Sequence, residues 1–137
     1  MSPNYLTMNS TSYLLTRWAI GMSAFGHGLV RLFKLNGFSH WMVNSFQKSY
    51  IPEALVIPFG YILPFVELIV GLLLLIGLFT REAAIAGAVL MILLIFGSTS
   101  IENWDALPAQ LIHVAFLVVV LQFLPSNSYA VDKLIKK

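Results

Sequence analysis

Four long apolar stretches dominate this 137-residue chain, at residues 13–33, 59–79, 83–98 and 107–124. Hydrophobic residues make up 58% of the sequence and charged residues only 10%, whereas soluble domains are about a quarter charged. A membrane-spanning helix needs about 20 mostly apolar residues. A soluble chain of this size could not bury so much apolar surface. The sequence therefore predicts an integral membrane protein, and it excludes soluble enzymes and nucleic-acid-binding modules.

The connections between the stretches predict a bundle of helices. Each stretch must be helical, because hydrocarbon offers the backbone no hydrogen-bond partner. Only residues 80–82 separate the second stretch from the third, which predicts an antiparallel hairpin. The longer first loop repeats large apolar side chains at helical spacing, at Phe38, Trp41, Met42 and Phe46. The opposite face is polar, with Ser39, His40, Asn44, Gln47 and Lys48.

Such a two-faced segment is typical of an amphipathic helix at the membrane interface. We therefore predict an all-α fold, a transmembrane four-helix bundle with an interfacial amphipathic helix in the first loop. No internal repeat or linker divides the chain, so residues 1–137 are predicted to form a single domain.

The basic residues predict the orientation, because loops rich in Lys and Arg stay in the cytoplasm. With four spans, both termini lie on the same side of the membrane. That side, which includes a short basic tail, carries five basic residues: Arg17, Arg81, Lys133, Lys136 and Lys137. The other side carries three: Arg31, Lys34 and Lys48. We predict that both termini are cytoplasmic.

Polar and ionisable residues are rare within membrane spans and need a reason to be there. The first span carries His27 and Arg31, the second Glu67, and the fourth Gln110 and His113. At 1.5 Å per residue, both histidines lie about 9 Å below the outer ends of their helices and Glu67 about 12 Å below. Helical side chains lean toward the N-terminus of their own helix, so Arg31 and Glu67 on antiparallel spans point at each other.

These residues predict a polar pocket in the outer half of the bundle, with Lys34, Trp104 and Asp105 at its mouth. Two interpretations remain open. The Arg31–Glu67 pair either locks the bundle, or belongs to a pocket that binds a small ligand or relays protons. His27 and His113 could also be the axial ligands of a haem b, but hydrogen-bonded core histidines fit these residues better. The chain has no cysteine, so it has no thiol relay or Cys-ligated metal, and we expect no metal site.

Three segments of the chain follow a known pattern. In the first span Arg17, Gly21, Gly28 and Arg31-Leu32 match R…G…hG…KL. The loop GFSHWMVNSFQKSYIP ends in Ile-Pro, and the stretch from Glu67 through the GLFTR turn matches E…G…LL…GL.TR.AA. Through these pieces, over about residues 17–121, the chain resembles the DoxX family of small membrane proteins. It departs from the family at Arg31, where Lys is common, and at Tyr50, where Gly is usual.

This resemblance implies a bundle similar to those of membrane quinone-linked thiol oxidoreductases and of the small membrane subunits of a thiosulfate:quinone oxidoreductase. Arg31 and Glu67 match the family's basic position in helix 1 and acidic position in helix 2. Thiol chemistry cannot be carried over, because cysteine is absent. The expected location is a bacterial inner membrane.

Two functions are compatible with the sequence. The first is a redox-associated membrane subunit that holds a quinone or a small sulfur anion in the outer-half pocket. The second is a non-enzymatic scaffold, assembly factor, or lipid or small-molecule binder. A transporter or proton channel is disfavoured, because the inner half below Glu67 is apolar. Whether the chain is an enzyme stays open. The expected partners are membrane lipid, a redox partner protein or a second copy of the chain, and not nucleic acid.

Overall fold

The computed structural model describes residues 6–136, and within this range every regular element is helical. The six α-helices are α1 (Ser10–Phe33), α2 (Leu35–Phe46), α3 (Glu53–Ile76), α4 (Thr80–Ser100), α5 (Leu107–Gln122) and α6 (Val131–Ile135). Short 3₁₀ turns, Trp104–Ala106 and Leu124–Ser126, flank α5. The predicted all-α class is confirmed.

Three segments of the described chain are long and apolar enough to cross a membrane: α3, α4 and Trp104–Gln122, which contains α5. Helix α1 has 24 residues but is less apolar, because it carries Arg17, His27 and Arg31. It lies along α3, which is its main neighbour, while α5 packs on α4 and α1. Helix α2 packs on α3. The amphipathic helix predicted in the first loop is therefore present.

The contact between α1 and α3 is backbone to backbone. A Cβ atom added at Gly28 would lie 2.4 Å from the backbone nitrogen of Leu68, and one added at Gly71 would lie 2.2 Å from that of Phe25. Membrane helices commonly approach this closely through small residues. This spacing brings the side chain of Arg31 on α1 within reach of Glu67 on α3.

Two predicted boundaries were wrong. Helix α3 begins at Glu53 instead of residue 59, and both Pro58 and Pro64 lie inside it. Proline removes one backbone donor, but a loop at membrane depth would leave more groups unpaired, so the helix continues through it. The hairpin turn lies at residues 77–79 instead of 80–82, because Gly77 adopts a left-handed conformation (φ 73°) and ends α3.

The segment after α5 folds back against the end of the bundle where α1 begins and α3 ends, which we call the terminal end. The opposite end, where α1 ends and α3 begins, is the α2 end. At the terminal end Arg17 is only 1% exposed. Its guanidinium donates hydrogen bonds to Asn127 Oδ1 and, at 2.8 Å, to the carbonyl oxygen of Tyr129. Asn127 donates in turn to Thr80 Oγ1 at 3.1 Å.

Asp132 completes this terminal-end cluster by capping α4. Its carboxylate accepts hydrogen bonds from the backbone N–H groups of Phe79 at 2.7 Å and Thr80 at 2.9 Å. Burial alone would raise the pKa of Asp132, but these bonds and the nearby Lys136 outweigh burial and hold the pKa below its usual value. Asp132 therefore ties the start of α6 to the turn before α4, while Lys133 and Lys136 remain exposed.

Candidate functional site

The charged pair of the α2 end joins α1 to α3. Arg31 Nη1 donates to both carboxylate oxygens of Glu67, at 2.5 and 2.6 Å. The side chain of Glu67 is 3% exposed and that of Arg31 is 28% exposed. The guanidinium of Arg31 also lies 4.8 Å from the ring centroid of Phe38 on α2. The structure thus brings together the two charges that the sequence predicted to point at each other, and leaves one side of the guanidinium open.

The two histidines form a second polar group between α1 and α5. His113 Nδ1 donates to the carbonyl of Ala109 at 2.6 Å, which leaves its Nε2 to accept from the Ser23 hydroxyl at 2.7 Å. His27 Nδ1 donates to the carbonyl of Ser23 at 2.7 Å. These tautomers follow from the hydrogen-bond network. We call His27, Ser23 and His113 the histidine seam, and Ser23 is a member that the sequence did not single out.

A haem b does not fit between these histidines. Their ring centroids are 5.8 Å apart and the rings meet edge to face at 78°. An axial ligand needs a free ring nitrogen directed at the iron, whereas His113 has both nitrogens engaged in hydrogen bonds. Among residues 6–136, no group of three His, Asp or Glu side chains could hold a metal ion.

A cavity of about 300 Å³ lies under α2, enclosed by α2, α3, α4 and the start of α5. We call it the α2 cavity. Its polar lining consists of Arg31, Ser98, Asn103 and Gln110. The apolar lining includes Phe38, Trp41, Met42, Phe46, Leu55, Val56, Leu63, Leu93, Leu94, Phe96 and Ala106. Small-molecule pockets are typically about 300–1,000 Å³ and mostly apolar with a few polar groups, and this cavity has that character.

Gln110 is the distinctive polar group of the α2 cavity. Its Nε2 donates to Ser98 Oγ at 2.8 Å, and its Oε1 is buried without a hydrogen-bond partner. Leaving a buried acceptor unpaired costs about 1–3 kcal/mol. A ligand that donated a hydrogen bond to this oxygen would recover that cost.

The single pocket predicted from the sequence is divided in the structure. Of the predicted residues, only Arg31 and Gln110 line the α2 cavity. His27 lies with Arg31 in a separate shallow groove along α1, and His113 reaches that groove through Ser23. Glu67 is buried behind Arg31. Helical rise gives the depth of a residue but not its angle around the bundle axis, so residues at one depth can face different compartments.

The three residues predicted at the pocket mouth lie on the exposed surface. Lys34, Trp104 and Asp105 are exposed and line neither the α2 cavity nor the groove along α1. Helix α2 covers this end of the bundle and forms one wall of the cavity. The sequence had predicted Lys34, Trp104 and Asp105 at this end instead. The sequence predicted an apolar face on α2. In the structure part of this face lines the cavity, through Phe38, Met42 and Phe46.

One residue on the predicted polar face of α2 is buried. Ser39 is buried against α3, with its Oγ 3.5 Å from where a Cβ of Gly60 would stand. Helix α2 thus lies directly against α3 at Gly60, at a distance where an added Cβ would make ordinary van der Waals contact. Gly60 and Ser39 were the available signal for this contact, but nothing in the sequence indicated that the two residues face each other.

Comparison with known proteins adds one decisive result. The family model for DoxX matches residues 12–100, more than half of the chain. The chain belongs to the DoxX family. Neither the curated proteins nor the solved structures contain a significant match. The matched range of this DoxX protein includes the Arg31–Glu67 pair and the cavity walls from α1 to α4. Gln110, His113 and the terminal-end residues after α5 lie outside it.

Its DoxX membership and its three long apolar helices together make the chain an integral membrane protein in contact with lipid.

Proposed function

We propose that this DoxX protein is a redox-associated membrane subunit that holds a quinone in the α2 cavity. The observation that carries the proposal is the unpaired Oε1 of Gln110 in a mostly apolar cavity that Arg31 also lines. The proposed setting is a bacterial inner membrane with both termini in the cytoplasm. The single-domain organisation over residues 1–137 is part of the same proposal.

The polar lining suits the head group of a quinone in both of its redox states. A quinone carbonyl accepts hydrogen bonds, which Arg31 and the amide N–H of Gln110 supply. A quinol hydroxyl donates a hydrogen bond, which Gln110 Oε1 accepts. A half-turn of the Gln110 amide exchanges the two roles. The aromatic side chains Phe38, Trp41 and Phe46 offer flat apolar surface to the ring of the ligand.

A neutral quinone fits this cavity better than a small anion does. The positive charge of Arg31 is already balanced by Glu67, which holds it with both carboxylate oxygens. A second anion would leave water for a mostly apolar site and would meet the negative charge of Glu67, and both effects cost free energy. The structure therefore favours the quinone over the sulfur anion that the sequence left as an alternative.

The contribution of this chain is binding and orientation. When bound, a quinone supplies two-electron redox chemistry. The chain has no cysteine, so it contributes no thiol to that chemistry, and the electron donor in this proposal is a partner protein. The second candidate, a lipid-binding or scaffold role without redox chemistry, is supported by the predominantly apolar cavity lining.

Trp41 provides the test, because it lines the α2 cavity whereas Trp18 and Trp104 do not. A variant with Trp18→Phe and Trp104→Phe keeps Trp41 as its sole tryptophan. Titration of this variant in vesicles with a decyl-tailed benzoquinone is expected to quench Trp41 with a saturable component. Ala106→Phe, which fills the cavity, should abolish that component and leave only collisional quenching. Ala115→Phe on the exposed face of α5 is the matched control and should retain it.

Linear quenching that is identical in all three proteins would contradict the quinone proposal. Saturable quenching by a brominated fatty acid, with none by the quinone, would favour the lipid-binding candidate instead. Gln110→Leu separates the polar contribution. Loss of one hydrogen bond, worth about 1 kcal/mol, should weaken quinone binding by about fivefold and leave fatty-acid binding unchanged.

A further inference from the structure

The α2 cavity has two kinds of lining residue. Met42, Val56 and Leu63 are buried. Four other lining residues are half exposed or more: Trp41, Leu55, Leu93 and Phe96. A side chain that lines a cavity and is also exposed marks the place where the cavity reaches the protein surface. The cavity therefore reaches the surface beside these residues, three of which, Trp41, Leu93 and Phe96, lie on α2 and α4.

This opening lies between α2 and α4. Helix α2 packs on α3 and has few contacts with α4. Two contacts cross this space to α4, one from α2 and one from the loop after it. The ring of Phe46 approaches Gly97, where an added Cβ would stand 3.2 Å from it. Farther out, the rings of Tyr50 and Phe96 lie 6.1 Å apart. We call this space, lined by Trp41, Leu93 and Phe96, the α2–α4 gap.

The α2–α4 gap lies at the depth of the lipid. Helix α4 has 21 residues, which at 1.5 Å each gives about 31 Å, close to the thickness of the hydrocarbon core. Phe96 and Leu93 lie four and seven residues before the end of α4 at Ser100, or about 6 and 10 Å inside it. Both side chains are exposed, so what they contact in the membrane is acyl chain. An opening at this depth admits molecules that are dissolved in the bilayer.

We infer that the ligand of the α2 cavity enters sideways from the leaflet nearest α2, through the α2–α4 gap, and has a polar head and an apolar tail. This inference rests on the proposed function, because it describes how the proposed quinone site is filled. The head lies inside, at Arg31 and Gln110, and the tail lies across Leu93 and Phe96 toward the lipid. The lining of the gap is apolar and aromatic, as a tail requires.

The apolar tail determines the route by which the ligand enters, and it contributes little to the binding affinity. Burying apolar surface is favourable when that surface leaves water. A tail that is already in lipid gains little when it moves onto Leu93 and Phe96. The test therefore measures how fast the cavity is filled instead of how tightly.

The absence of cysteine from the chain allows the gap to be closed chemically. In the background that keeps only Trp41, Leu93→Cys and Phe96→Cys are labelled in detergent with bulky N-cyclohexylmaleimide and reconstituted into vesicles. Ile92→Cys, exposed on α4 but absent from the cavity lining, is labelled as the matched control. The decyl-tailed benzoquinone is then mixed in at one fixed ratio to lipid, and the saturable quenching of Trp41 is followed in time.

Labelling at Leu93 or Phe96 is expected to lower the association rate by about tenfold or more, as when binding requires an additional opening step. The label at Ile92 should leave the rate unchanged. Ala106→Phe supplies the collisional background. Leu94→Phe is a second cavity-filling variant for that background, and the thermal unfolding of each labelled protein shows that the fold is intact.

Equal rates in all labelled proteins, with saturable binding retained, would overturn the sideways entry and leave the proposed quinone site standing. The absence of saturable quenching in the unlabelled protein would instead remove the proposed function, and the inference with it. A slow rate at Leu93 and Phe96 alone supports both.

Discussion

Helix α1 carries two arginines whose surroundings could hardly differ more. Arg17 at the terminal end is 1% exposed, and its partners are groups from the segment after α5. Arg31 at the α2 end is 28% exposed, has the carboxylate of Glu67 as its partner, and lines both the α2 cavity and the groove along α1. Arg17 is enclosed by the fold, whereas Arg31 faces the α2 cavity and the groove along α1.

The difference shows what a charged residue in a membrane span can do. The guanidinium of Arg17 binds two oxygen atoms of its own chain, so its effect is to hold distant segments together. The guanidinium of Arg31 is neutralised by Glu67 but keeps donors on its open side. A neutralised arginine next to an apolar cavity can bind the polar head of a neutral molecule. We therefore propose that Arg17 stabilises the fold and that Arg31 binds the ligand.

The largest expected effect is at Arg17. Arg17→Met removes two hydrogen bonds from a charged donor and leaves the acceptor of Asn127 buried without a partner, so we expect a loss of about 4 kcal/mol in unfolding free energy. Unfolding by SDS in mixed micelles measures it, and hydrogen exchange should rise over residues 124–136. A loss below about 1 kcal/mol would mean that water or lipid head groups replace these bonds, and Arg17 would no longer be a structural residue.

The spacing of α1 and α3 is expected to have the next largest effect. In Gly28→Ala the new methyl would collide with the backbone of Leu68, so the helices must separate, at about 3 kcal/mol. Gly26→Ala is the matched control, because nothing lies within 4 Å of its Cβ position, and it should gain about 1 kcal/mol from better helix propensity. The same micelle titration reports both.

The arrangement at the α2 end would be contradicted if the two glycine variants were equally stable. In that case the close approach of α1 to α3, and with it the short Arg31–Glu67 distances, would not describe the protein in its membrane.

The ion pair itself should be of intermediate importance. Glu67→Gln leaves Arg31 with a neutral partner, and we expect a loss of about 2 kcal/mol, less than for a fully buried pair because Arg31 is partly exposed. The double change Arg31→Met with Glu67→Met should be closer to the native protein than Glu67→Gln is, since no unpaired charge remains. If the double variant also lost saturable quinone quenching while staying folded, the contrast with Arg17 would be sharpened.

The smallest effect is expected at Asp132, which caps α4. Asp132→Asn keeps one accepting oxygen but loses the charge and the second acceptor, so it should cost about 1 kcal/mol at neutral pH, the worth of one hydrogen bond. The native pKa of Asp132 lies below its unfolded value, which is about 3.9. Its contribution is therefore complete well above pH 4 and is lost as pH falls through the lower native pKa. Stability measured against pH should converge for the two proteins in that acid range.

Asp105→Asn, at an exposed carboxylate, is the control for this experiment and should leave both stability and its pH dependence unchanged. A pH profile of Asp132→Asn parallel to that of the native protein would contradict the capping role.

The sequence predicted the α2 end better than the terminal end, for a physical reason. Arg31 and Glu67 lie inside long apolar runs, so helical rise and side-chain lean suffice to place them together. The partners of Arg17 lie in residues 127–129, beyond the last apolar stretch, where no periodic pattern indicates how the chain turns. Arg17 was itself the available signal, because a charge that deep in the fold needs a partner.

The division of the predicted pocket had a different cause. Depth along a helix follows from residue number, but the angle around the bundle depends on how four helices and α2 pack. Gln110 lines the α2 cavity and His113 belongs to the histidine seam, although they are only three positions apart on α5. The pairing of Gly28 and Gly71 with the opposite backbone, which sets the angle of α1 against α3, could not be derived from one sequence.

The bonds of Arg17 also constrain biosynthesis. The acceptors at Asn127 and Tyr129 follow Arg17 by 110 and 112 positions, so the ribosome makes them long after α1 has emerged. Until then the guanidinium of a newly inserted α1 has no acceptor from its own chain and must stay with water or lipid phosphates. Helix α1 can therefore reach its final position only after α5 and the segment that follows it have been synthesised.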